Sequence, residues 1–349
     1  MVYCLLEILS AMNKNNLSKK TVWFVVLACL GSVLFIPHTA PAELMKSTRA
    51  DAKLKMSFLY LLSDFSGVIP SQWARIDYDQ QNNEIYTLNP RSNEVQIFNR
   101  EGMKIFTFGG DGDIPSLIDV TAGDGGRIYG LPRRIGAIEV RVFNYRGLPE
   151  SVIVPQGLPE ELQHFRASRI EYQDGKLYLL DSKAMKLILL SRDGTVLKIH
   201  DFGEKLREIA DRSDPDKKKS IELDIGDFSL DPNGNIYFTA PLIFTAFRVN
   251  GDGTVNSFGR SGSGPGKFGV VAGIAADEQG NIYVADRLRS VVLLFNSDFK
   301  FQGEFGYRGG LPEDLLVPDS IAIDQKGNRV FVAQGANKGV GAYKVIFEK

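Results

Sequence analysis

An apolar residue followed by an aromatic one, just after a turn, recurs six times along the chain. The pairs are Ile85-Tyr86, Ile128-Tyr129, Leu177-Tyr178, Ile236-Tyr237, Ile282-Tyr283 and Val330-Phe331. Successive aromatics are 43, 49, 59, 46 and 48 residues apart. Such a period marks one supersecondary unit, repeated, that buries its apolar face only by packing against its neighbours. This overrides the two or three domains that 349 residues would suggest by length.

Each unit reads as four strands. Before the markers lie Arg75-Ile76-Asp77, Asp119-Val120-Thr121, Arg169-Ile170-Glu171, Asp227-Phe228-Ser229, Gly273-Ile274-Ala275 and Ser320-Ile321-Ala322. The middle residue is apolar in all six, as an inner strand packed between sheets requires. A third strand follows each marker, Val291 to Phe295 for example. Outer strands close on Phe-Gly at Phe108-Gly109, Phe202-Gly203, Phe258-Gly259 and Phe305-Gly306, with Ile153-Val154-Pro155 departing in the second unit. The turns, such as Asp231-Pro232-Asn233-Gly234-Asn235, supply a positive φ and side-chain bonds to the backbone.

The stretch Phe258 to Asp286 shows glycine-rich connector, strand, turn and strand in one piece, and it resembles an NHL repeat, a blade of β-propellers. The resemblance implies an all-β, six-bladed β-propeller. The sixth unit has only four residues after Val345, too few for a fourth strand, whereas Met56 to Leu62 is an apolar run with no partner. The N-terminal strand is therefore expected to complete the last blade, which removes an exposed sheet edge.

Residues 1–42 read as a secretory signal or membrane anchor. Lys14, Lys19 and Lys20 precede an apolar run from Thr21 to Ile36, and Ala40-Pro41-Ala42 offers small residues at cleavage spacing. Met12 is an alternative start. An uncleaved anchor helix and lipidation at Cys29 are the competing readings. A leader over 43–54 and the propeller over 55–349 follow. Export would place the propeller in the periplasm or outside the cell, touching membrane only through its N-terminal segment. Both cysteines, Cys4 and Cys29, precede the cleavage point, so a mature chain has no disulfide framework. The net charge of −1 gives no reason to expect nucleic acid.

Between the third and fourth units, Gly203 to Ser220 is an insertion. Leu206, Ile209 and Ala210 have helical spacing and Pro215 stops any helix. It reads as a solvated loop with one helical turn, or as a lid or docking arm.

Strand alternation puts the blade-to-blade connectors and the loops between second and third strands on one face. That connector face should carry Arg133, Arg134, Lys183, Arg287 and Arg289, with Phe244 in the one apolar loop. Clustered arginines beside an apolar patch suit an acidic protein surface; a solvated face of mixed charge is the plain alternative. The residues heading the inner strands, Arg75, Asp119, Arg169, Asp227, Gly273 and Ser320, should ring the channel mouth. Their signs alternate over four blades, which fits either an ion-pair ring or a polar pocket open beside Gly273 and Ser320.

Propellers similar to this one include metal-dependent lactonases and a zinc lyase, whose chemistry needs carboxylates or histidines converging on one ion. Here His164 falls in a connector and His200 in an outer strand, and Arg169 stands between Asp119 and Asp227. No catalytic set and no cofactor are therefore expected, a divalent cation at the mouth being the exception to test. The sequence points to an exported, non-catalytic, monomeric scaffold that binds an envelope or extracellular protein, or a ligand, through the connector face. The alternative is a metal-dependent hydrolase or lyase at the channel mouth.

Overall fold

A computed structural model describes residues 53–70, 73–133, 138–213, 222–325 and 329–348. The expected signal or anchor, residues 1–42, and Arg134 lie outside these described residues.

Six four-stranded antiparallel sheets follow one another along the chain. The inner strands are Arg75–Asp79, Leu117–Gly123, Arg169–Gln173, Phe228–Leu230, Val271–Ala276 and Pro318–Asp324. They define blades 1 to 6 in that order, and each lies against the next, the sixth against the first. The first strand of the described chain, β1 (Lys53–Leu61), pairs antiparallel with the last, Val340–Glu348, as the outer strand of blade 6. The all-β six-bladed propeller and its closure by the N-terminal strand are thus as the repeat predicts. The closing strand begins earlier than Met56: Leu54, placed in the leader by sequence, is buried strand.

The six marker aromatics are all buried, one in the second strand of each blade. In blades 4 and 5 the reason is local. Asp231 Oδ1 accepts the backbone N–H of Asn233 and Asn235, and the Asn235 amide donates to its Oδ2 at 2.7 Å. The Tyr237 hydroxyl then donates to the same oxygen from inside. Asp277, Asn281 and Tyr283 repeat the arrangement. Gly234 supplies the left-handed φ of 78° that closes the turn. In these two blades one side chain both fills the interblade core and seals the turn carboxylate.

Six buried apolar clusters are formed by the described residues, one in each seam between neighbouring blades. Alternate residues of the inner strands feed opposite seams, so each blade is apolar on both sides near the channel. The insertion differs from a solvated loop with one turn. Gly203–Ser213 is an α-helix, α1, capped by Asp201 Oδ1 on the Gly203 N–H. Leu206 is fully buried, and Ile209 and Ala210 pack on the seam of blades 3 and 4. Residues 214–220, with Pro215, lie outside the described part.

Gly273 marks a close approach between the inner strands of blades 5 and 6. A Cβ there would stand 2.6 Å from the Asp319 carbonyl and 2.9 Å from Ser320 Cα. Blades 5 and 6 are therefore in backbone contact beside Gly273. Gly273→Ala should push blades 5 and 6 apart and cost about 1–3 kcal/mol, as overpacking does. Urea unfolding checks this, and wild-type stability in the variant would refute the close approach.

Candidate functional site

The predicted mouth residues do gather at one end of the channel, in two ionic groups. Arg169 Nε donates to Asp227 Oδ1 at 3.1 Å, and its other nitrogens reach the carbonyls of Ser168 and Gly226. Arg75 faces Asp319 Oδ2 at 3.4 Å, and Arg287 Nε meets Oδ1 of the same carboxylate at 2.8 Å. Asp119 is held by backbone: its oxygens accept the N–H groups of Val120 and Ile170. Ser320 lines this end without a side-chain bond. The space left among these groups is about 20 Å³, a narrow plug.

Asp319, whose side chain is 1% exposed, was not marked by sequence. A bulge between Pro318 and Ser320 interrupts the register and turns Asp319 toward the arginines. The repeat alignment selects Ser320 and cannot see that shift.

On the connector face the predicted residues divide. Arg289 is consumed by structure, with both Glu304 oxygens at 2.6 and 2.7 Å and the Lys267 carbonyl at 2.9 Å. Phe244, at φ 53°, swings its ring against the seam of blades 4 and 5. Leu242 takes the exposed place in that loop. Lys183 is exposed, 3.4 Å from Asp224, and Arg133 is exposed. Arg287 remains 37% exposed and lies over the ring of Trp73, 5.4 Å from its centroid. Trp73 comes from the connector into blade 1 and crosses to Gly335 of blade 6. Leu288, 71% exposed, and Tyr307 and Leu311 of the next connector extend the apolar surface. Lys338 ties blade 6 to that connector through the carbonyls of Leu311 and Asp314.

Below the plug, toward the turns, the channel widens to a cavity of about 310 Å³. Its wall includes Asp77 and Glu171, which also border the plug. Burial pushes the Asp119 carboxyl up to about 6, against the pull of Arg169 and Arg75. Burial also raises Asp227, opposed chiefly by Arg169, and Asp77, opposed by the Ala122 N–H and Thr121 hydroxyl. Glu171 is driven well above the carboxylate range by burial and by Asp77, Asp119 and Asp227. His200 is lowered to about 4 by burial and Lys198, and is stacked on Phe202. It is a neutral packing residue.

A cation does not suit the plug. Arg169 and Arg75 already face its carboxylates, and among the described residues no three His, Cys, Asp or Glu side chains are placed to hold a metal.

No protein-family model matches the sequence, and no curated protein does. Solved structures share the fold. A structural genomics protein of unknown function from Bacteroides thetaiotaomicron is 14% identical, with a TM-score of 0.58 over 85% of this chain and 77% of that one. A streptogramin B lyase is 10% identical at TM-score 0.57, over 84% of this chain and 98% of that one. A calcium-binding protein, regucalcin, from Agrobacterium tumefaciens is 15% identical at TM-score 0.55, over 83% and 96%.

The channel carboxylates set a pH dependence. Folded Asp119 keeps its proton up to about pH 6, against a normal 3.8. Its stabilising contribution is thus present below about pH 4 and lost as pH rises through 6. Asp77, Asp227 and Glu171 act in the same direction. Urea unfolding from pH 4 to 7 should show falling stability, and Asp119→Asn should remove on the order of 3 kcal/mol of the fall. An unchanged slope in the variant would contradict this assignment.

Proposed function

We propose that this propeller is a non-catalytic scaffold that docks a protein partner on its connector face, across blades 5, 6 and 1. The observation that carries the reading is the exposed group Trp73, Arg287, Leu288, Tyr307 and Leu311 on neighbouring loops. Tryptophan, tyrosine and arginine dominate binding energy at interfaces. Here Trp73 and Arg287 are pre-positioned on one another, and Arg287 is anchored below by the buried Asp319. Ordering these side chains therefore costs little on binding.

Two details refine the expectation drawn from sequence. The docking quadrant is set by Trp73 and the blade 5 loops rather than by Arg289 or Phe244, which serve the fold. Basic charge is a minor part of it, since Arg287 is already neutralised. The signal-like N-terminal sequence supports export, and with it an envelope or extracellular partner of an otherwise monomeric propeller. The alternative of a metal-dependent hydrolase or lyase draws support from the named lyase and calcium-binding neighbours, but the arginine-filled plug weighs against it.

Leu288→Asp and Leu311→Asp change exposed side chains only. Affinity capture from envelope extract with full-length protein should retain a partner that both variants lose, by about tenfold or more in affinity. Leu197→Asp, on the exposed outer strand of blade 3, should retain it. Equal retention by all four proteins would refute the surface.

A further inference from the structure

The inner strands are stitched to one another by polar rungs, and one rung is open. Between blades 1 and 2, Asp77 Oδ2 accepts the Thr121 hydroxyl at 2.9 Å and the Ala122 N–H at 2.8 Å. Between blades 2 and 3, Asp119 takes the Ile170 N–H and Thr121 Oγ1 takes that of Tyr172. Between blades 3 and 4 the upper rung is Arg169 on Asp227, and the lower is Gln173 Nε2 on the Asp231 carbonyl at 2.9 Å. The level between them holds Glu171 and Ser229, which have no side-chain partner among the described residues.

Ser229 is only 8% exposed, and its Oγ is buried and unbonded. The Oε1 of Gln173 is buried and unbonded as well. All three residues line the 310 Å³ cavity. A buried polar group without a partner costs about 1–3 kcal/mol, so native structures supply a partner from water or a ligand. The volume falls at the lower end of small-molecule sites, roughly 300–1,000 Å³.

The chemistry of the wall narrows the class. Asp77, Glu171, Asp174 and Asp231 border the cavity, and among the described residues no lysine, arginine or histidine does. An anion would meet only like charge. A neutral molecule would give Glu171 no counter-charge once it ionises, whereas a cation would favour its ionised form. An ammonium group has three donors and no acceptor, which matches a carboxylate, an amide oxygen and a hydroxyl oxygen. The facing wall, from blades 5 and 6, is largely apolar, with Ala275, Ala276, Ile321, Ala322 and Ile323, and Gln325 as its one polar side chain among the described residues. It suits a small hydrocarbon group.

We propose that this cavity, on the face opposite the docking surface, binds a small primary amine as its ammonium ion. Glu171, Gln173 and Ser229 receive the ammonium, and the alkyl or aryl part rests on Ala275, Ala322 and Ile323. Binding completes the open rung between blades 3 and 4.

Calorimetric titration of the full chain with n-butylamine and phenethylamine, each as hydrochloride, tests this against 1-pentanol and butyrate. The amines should bind, and the alcohol and the acid should not. Glu171→Gln should weaken amine binding about tenfold or more, the loss of one charge-assisted hydrogen bond. Ser229→Val, which also fills the cavity, should weaken it independently.

Affinity should rise with pH as Glu171 ionises in the presence of Asp77, Asp119 and Asp227, with Arg169 and Arg75 beyond them. No amine binding at about 10 mM, equal binding of 1-pentanol, or amine affinity unchanged in both variants would each overturn the proposal. Loss of partner capture by the Leu288 and Leu311 variants would be untouched by any of these results.

Discussion

Backbone pairing between the two ends of the described chain holds the ring shut. Eight residue pairs, from Lys53 with Glu348 to Leu61 with Gly341, make the outer strand of blade 6. Without them Val340–Glu348 would be an open edge, a template for pairing with other chains. The same strand carries Leu54, Met56 and Phe58 onto the core between blades 5 and 6. It also reaches the next seam: the Tyr60 hydroxyl donates to the Arg100 carbonyl of blade 1, and Arg329 of blade 6 joins it there. Closure is thus a contact among three parts of the chain, and each seam depends on it, because a ring opened anywhere unloads two neighbours.

Much of this was legible because it is local or periodic. A turn carboxylate sealed by a tyrosine leaves a mark within ten residues, as at Asp277 to Tyr283. Counting strands against units was enough to assign the closing strand. What escaped depends on geometry that a repeat alignment averages away. The bulge at Asp319 moves one side chain to the other end of an ionic group. The left-handed φ of Phe244 sends an aromatic inward from a loop that reads as exposed. The amphipathic spacing of α1 was visible, but its apolar target, the seam of blades 3 and 4, exists only after the blades assemble. Trp73 gave no periodic signal, and its position follows from the path of a single connector.

The cavity escaped for a related reason. Its wall takes Asp77, Glu171, Ser229, Ala275 and Ala322 from the corresponding position of five inner strands. No one of them is unusual in its own strand. One level up, two arginines and their carboxylates fill the channel. Long charged side chains above and short ones below fix where the void falls, and it falls on the turn face.

The plug between the two faces is also what keeps them apart. Arg169 and Asp227 span blades 3 and 4, while Arg75, Asp319 and Arg287 span blades 1, 6 and 5. The first pair lines the plug beside Glu171, above the cavity; the second group underpins Trp73. Gly273 packs closely on the blade 6 backbone beside Asp319, which restricts movement between blades 5 and 6. Packed cores of this density resist continuous deformation, so what passes between the faces is electrostatic. Glu171 stands near Asp119 and Asp227, and a positive group beside it would lower the cost of ionising all three. An ammonium bound as proposed would then tighten the plug rather than open it, and would leave the proposed docking surface on the connector face unmoved.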